Sequence, residues 1–185
     1  FSVNIAFGSA AEVATMANIE AGTKVILLGR QAQGGTGKHD RFFYLNKKYS
    51  GNSDITVSIT AINGDDSSAP SVTRQGGGSV DLSKPENASG DTLELQHSVD
   101  GGTWTTFKNV RPHDAGDGVR DLTFTEFRTV TATFTPPSGQ DVYIRVKQQN
   151  HAGFGHDLYA IKDFTVNAPF AERSEPKPNN FLDGQ

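Results

Sequence analysis

Apolar and polar residues alternate in short runs along most of the chain, and the runs end at clusters of Gly, Asp, Asn and Ser. In Leu93-Glu-Leu-Gln-His-Ser-Val99, positions 93 and 95 point one way while 94 and 96 point to water. In Val142-Tyr-Ile-Arg-Val-Lys-Gln148, Val142, Ile144 and Val146 form an inner face, and Tyr143, Arg145 and Lys147 share the outer one. Further runs at 2–7, 24–29, 41–46, 54–62, 71–74, 103–108, 122–126, 129–135 and 158–166 read as strands. About ten strands in one chain predict an all-β protein with the spacing of a sandwich or jelly roll. Val99-Asp-Gly-Gly-Thr-Trp104 supplies residues tolerant of positive φ and predicts a hairpin that pairs 92–99 with 103–108. A short helix near 10–20 competes with the all-β reading. Ser9-Ala-Ala-Glu12 is a capping-box pattern, Val13, Met16, Ala17 and Glu20 follow at helical spacing, and Gly22 stands where a C-cap would.

The alternation fades after Asn167. Residues 1–167 are therefore expected to form one β-sandwich domain, and 168–185, with Pro169, Pro176 and Pro178, an extended tail or linker. Phe170, Phe181 and Leu182 in that segment predict docking on this domain or on a neighbouring subunit. The chain opens on Phe1, within a strand-like run and without an initiator Met or a signal peptide, which reads as a fragment, a processed product or an incompletely known chain.

Composition narrows the chemistry. The 185 residues include 20 Gly, 8 Pro and no Cys, so disulfides and thiolate metal sites are excluded. A net charge of -4 offers no electrostatic footprint for nucleic acid, and no run approaches the roughly 18 apolar residues of a membrane helix. Gly34-Gly-Thr-Gly-Lys38 has the look of a phosphate loop, but Ala32, His39 and the strand-like Phe42-Phe-Tyr-Leu45 stand where that pattern wants Gly, a hydroxyl and a helix. A loop between strands accounts for it better. His151, His156 and Asp157 cluster in a Gly-rich stretch, where a connecting loop is again a simpler account than zinc. No carboxylate spacing fixes a glycosidase pair, and no Ser sits in a nucleophile elbow.

Two kinds of binding residue remain. Calcium takes roughly six to eight oxygens, and Asp/Gly loops provide them; Pro112-His-Asp-Ala-Gly-Asp-Gly-Val-Arg-Asp121 brings together Asp114, Asp117 and Asp121. Asp and Gly are also ordinary turn formers. Sugar rings stack their C–H faces on aromatic side chains, which points to Trp104 beside the Asp-Gly-Gly turn and to Tyr143, with Arg145 on the same outer face. A Trp at that position also serves to cap a sandwich core.

The series Leu93-Glu-Leu-Gln-His-Ser-Val-Asp-Gly-Gly-Thr-Trp104, Thr131-Ala-Thr-Phe134, Val142-Tyr-Ile-Arg-Val146 and Asp157-Leu-Tyr-Ala-Ile-Lys-Asp-Phe-Thr-Val166 resembles the strands of extracellular jelly-roll modules. These include MAM-like and reelin-like repeats, carbohydrate-binding modules, ligand-binding domains of bacterial adhesins and phage fibre modules. The resemblance spans 92–167 and implies a jelly-roll β-sandwich. Such modules often carry Asp after Ala-Ile, near a structural calcium; here Lys162 stands there with Asp163 next, so the resemblance adds Asp157 and Asp163 as calcium candidates. The function expected is a non-catalytic binding or adhesion module for carbohydrate or peptide, placed outside the cell, on its surface or on a virion. The alternatives are a structural subunit of a surface filament or phage virion that contacts copies of itself through its terminal segments, and a polysaccharide-active enzyme.

Overall fold

The computed structural model describes residues 5–8, 10–29, 41–64, 70–82, 92–112, 120–148 and 158–171. Among them there is no α-helix. Twelve strands run in chain order: β1 (Ile5–Phe7), β2 (Ala11–Met16), β3 (Lys24–Leu28), β4 (Phe42–Leu45), β5 (Ile55–Asn63), β6 (Ser71–Arg74), β7 (Ser79–Asp81), β8 (Leu93–Ser98), β9 (Thr105–Val110), β10 (Arg128–Phe134), β11 (Tyr143–Gln148) and β12 (Tyr159–Val166). They form two antiparallel sheets, one ordered β1-β4-β11-β8-β9 and the other β10-β5-β12-β3-β2-β6-β7. From β3 onward the chain crosses repeatedly between the sheets, so strands adjacent in sequence often lie in opposite layers.

The sandwich follows from period-2 burial. Ile55, Val57, Ile59 and Ala61 of β5 and Tyr159 and Ile161 of β12 face Leu93, Leu95, Val142, Ile144 and Val146 of the five-stranded sheet, all at most 2 % exposed. Each large apolar side chain removed from water in this way contributes about 1.5–3 kcal/mol. The faces expected for β8 and β11 are the ones observed, and β8 pairs β9 across the expected hairpin, with a bulge between Leu95 and Gln96.

Three elements differ from the sequence reading. The segment near 10–20 is not a helix: β2 pairs β3 on one side and β6 on the other. Ala14 and Met16 bury into a second apolar cluster with Val25, Leu27, Ile62, Val72 and Ala160, on the face of the seven-stranded sheet turned away from the main core. Glu12 caps no helix; it pairs with Arg74 of β6 at 2.6 Å. Gly22 has the positive φ expected of a cap (93°), but it closes a β2–β3 turn by donating its N–H to the Met16 carbonyl. Residues 122–126 form a bend instead of a strand, because the amides of Asp121 and Leu122 both donate to the Arg111 carbonyl and turn the chain while Leu122 fills the core. The short β7 went unpredicted; Gly77 and Gly78, both at positive φ, turn the chain into it.

Residues 168–171 lie against the sandwich. Tyr49 bridges Val142 on one side and Phe170 on the other, and the Phe170 ring stacks on Tyr49 at 5.0 Å. Phe181 and Leu182 lie outside the described residues.

Candidate aromatic platform on the five-stranded sheet

The outward face of β4, β11, β8 and β9 gathers a group of partly exposed rings. β4 contributes Phe42 and Tyr44 at alternate positions, with Phe43 between them turned into the core. The β4–β11 register places Tyr44 opposite Arg145 and Phe42 opposite Lys147. Tyr44 is the hub: Trp104 meets it edge-on at 5.3 Å, Tyr143 does so at 5.9 Å, and Phe42 lies 5.9 Å away. The Arg145 guanidinium sits 4.1 Å from the centre of the Trp104 ring and 5.2 Å from that of Phe42, within the range where a ring face attracts a cation. Lys48 lies 5.5 Å from the Tyr143 ring.

Trp104 is carried to this face by the hairpin. Asp100 Oδ1 accepts the amide N–H of Gly102 and of Thr103, each at 2.8 Å, and the Ser98 hydroxyl at 3.0 Å; Gly101 in turn donates its N–H to Ser98 Oγ. The backbone amides of Thr103 and Gly102, then the Ser98 hydroxyl, hold the Asp100 carboxyl below its ordinary range. Gly101 is at φ 78°, and a Cβ built there would lie 3.4 Å from the Tyr143 ring, so the turn rests against that ring. A side chain at 101 would strain the turn and crowd Tyr143 at once.

A polar row adjoins the rings. Arg145 Nε donates to Gln96 Oε1 at 2.7 Å, Gln96 Nε2 to Thr106 Oγ1 at 2.9 Å, and the Thr106 hydroxyl to Glu94 Oε2 at 2.6 Å. Gln96, expected to point to water, does lie on the outward face but is only 6 % exposed, fixed between Arg145 and Thr106. A platform of ring faces beside a fixed row of amide, hydroxyl and carboxylate groups matches the two surfaces of a sugar, its C–H face and its hydroxyl edge.

The structure thus brings Trp104, Tyr143 and Arg145 together. Trp104 does not cap the core; it lies on the outer sheet face. The sequence reading missed Phe42, Tyr44, Gln96, Thr106 and Glu94. The aromatic run at 42–44 is the available signal, since strand alternation alone puts Phe42 and Tyr44 on one face.

The calcium candidates are not assembled by what is described. Asp114, Asp117 and Asp157 lie outside the described residues, as do residues 34–38, His151 and His156. Asp121 accepts the Arg111 amide at 2.8 Å and lies 3.8 Å from Lys108 Nζ. Asp163 is exposed on β12, in register with Thr60 of β5. Among the described residues no three His, Asp or Glu side chains gather as a metal site, and no helix is long and apolar enough to cross a membrane. No protein-family model matches the chain, and no curated protein matches it in sequence.

Proposed function

We propose that this protein is a non-catalytic extracellular binding or adhesion module that holds carbohydrate on the outward face of the five-stranded sheet. The observation that carries the reading is the convergence of Phe42, Tyr44, Trp104 and Tyr143 around Arg145, next to the row Gln96, Thr106, Glu94. A cluster of rings left on the surface costs hydration that a buried position would avoid, and patches of this kind mark binding faces. The interleaved strand order supports the finer jelly-roll description, an architecture that presents broad sheet faces to ligands.

The test is binding to a glycan array followed by calorimetric titration of the hits, with peptides as the competing ligand class. Trp104→Ala and Tyr143→Ala should each weaken glycan binding by about tenfold or more, with the melting temperature monitored in parallel. Silence across the array, preference for peptides, or binding indifferent to both substitutions would overturn the proposal.

A second reading, a subunit of a filament or virion, draws on β10. Among the described residues this seven-residue strand ends the larger sheet and has β5 as its only strand neighbour there. An open edge of that length is a surface on which another chain can add a strand. Polymers in negative stain, lost when Pro replaces Thr131 in β10, would favour this reading over the first.

A further inference from the structure

We infer that the platform selects acidic polysaccharides, those built from uronic acids, over their neutral counterparts; the inference rests on the carbohydrate reading above. The chain as a whole is acidic, with 17 Lys and Arg against 21 Asp and Glu. The platform reverses that balance. Arg145 stands at its centre, Lys147 follows on the same strand face opposite Phe42, and Lys48 reaches Tyr143 from the edge. Two carboxylates adjoin these three cations: Glu94 accepts the Thr106 hydroxyl and lies in register opposite Lys147, and Asp100 Oδ1 accepts two amides of the hairpin turn, so the positive groups outnumber the negative ones by one.

The placement of the cations matches a uronate chain. A uronate keeps the C–H face of any pyranose, which suits Trp104, Tyr44 and Tyr143, and adds a carboxylate at the ring edge. Arg145 is braced by two rings and by Gln96, so its planar fork is held with little freedom left to lose when an anion arrives. Lys147 and Lys48 lie on either side of it, on different strands or segments, as a polymer with a carboxylate on each sugar requires. Opposite charge also raises the rate of encounter and makes affinity fall with salt.

The experiment compares polygalacturonate with its fully methyl-esterified form, which keeps the same backbone and removes the charge, using the whole chain in isothermal titration. The free acid should bind at least about tenfold more tightly than the ester at low ionic strength. That preference should collapse as the Debye length shrinks from about 30 Å at 0.01 M salt to about 3 Å at 1 M. Lys48→Gln with Lys147→Gln should cost binding of the free acid about tenfold more than it costs binding of the ester, with the fold verified by the melting temperature. Alginate and hyaluronate widen the acid panel. Equal, salt-insensitive binding of acid and ester would overturn the inference and leave the carbohydrate reading standing. Polyglutamate competing as well as the polyuronate would also overturn it, because the face would then be reading charge alone. Failure of every glycan, acidic or neutral, would remove both.

Discussion

Replacing Gly51 with Ala tests how the sandwich is closed beside the platform. Gly51 is buried between the Tyr49 bridge and the start of β5, and its N–H donates to Asp141 Oδ1 at 3.1 Å. A Cβ at this position would lie 1.9 Å from the Gln140 carbonyl oxygen and 2.5 Å from its carbon. Ordinary contact begins near 3.4 Å, so the Gln140 carbonyl would have to retreat by about 1.5 Å, which is 3.4 less 1.9. It has little room to do so. Pro136 and Pro137 stiffen the preceding turn, and Gln140 donates its own N–H back to the Pro137 carbonyl. Overpacking of side chains costs about 1–3 kcal/mol, and an obstacle made of backbone places this case at the upper end, about 3 kcal/mol. For a chain of this length that lowers the melting temperature by roughly 6–12 °C. Gly76 is the internal control: nothing lies within 4 Å of its Cβ position. Gly76→Ala should stabilise by about 0.4–1 kcal/mol through the unfolded chain alone. Calorimetric melts of the two variants side by side give the answer. A Gly51→Ala protein that melts with or above the parent would refute the close approach, and with it the placement of Gln140 and Val142 that leads into Tyr143.

Burial pushes the Tyr49 phenol up to about 12 from an ordinary 10. Its folded value lies above its unfolded one, so stability is intact below pH 10 and is lost as pH rises from 10 through about 12. In an alkaline titration followed by phenolate absorbance, Tyr49 should ionise together with unfolding, and Tyr49→Phe should flatten that loss; early, unfolding-independent ionisation of all four tyrosines would contradict this. His97, stacked on Phe134 at 4.5 Å with the planes 6° apart, is held below its ordinary 6.5 by burial. A base with a depressed folded value contributes stability above pH 6.5 that is lost as pH falls from there through the folded value, so denaturation midpoints should drop across that acid window and His97→Phe should remove the slope. Asp100→Ala should loosen the hairpin turn, change the near-ultraviolet dichroism of Trp104 and weaken glycan binding together. In the parent the same changes should appear only as pH falls below 3.8 through the depressed folded value, and an unchanged Trp104 signal in the variant would count against the turn's role.

The fold was legible where one sheet face is buried and the other is wet. In β11 burial alternates with sequence at every step, and in β8 it does so over Leu93–Leu95 before the bulge at Gln96, so the strands and their faces follow directly. β2 defeated the same reasoning because both of its faces matter: Ala14 and Met16 enter the second cluster while Val13 and Thr15 share the opposite face. Glu12 shares a face with Ala14 and Met16, which breaks the polar/apolar alternation in the sequence, and Ala, Glu and Met then suggest a helix by composition. Residues 122–126 mislead in the opposite sense. Their apolar residues are needed at the core, but the paired hydrogen bonds onto Arg111 take the backbone out of any ladder.

The site was half legible, and the missing half shows where its specificity lies. Tyr143 and Arg145 share a face by alternation alone, and Trp104 is tied to them by the Asp-Gly-Gly turn, all within 44 positions (100 to 143) for the turn and its ring. Tyr44 lies sixty residues from Trp104 in sequence. Only the β4–β11 pairing brings it opposite Arg145, and that register depends on which sheet the chain enters after β3. Because Tyr44 touches Trp104, Tyr143 and Phe42 at once, removing it should loosen contacts that come from three different strands or loops. Removing Trp104 alone leaves Tyr44 with Tyr143 and Phe42. Tyr44→Ala should therefore cost more in glycan binding than Trp104→Ala, by about threefold or more, since an aromatic pair is worth about 0.5–1.5 kcal/mol beyond its buried area. Titration of the two variants against the same glycan decides it. Equal losses would mean that Trp104 contacts the ligand independently and that the hub does not organise the face.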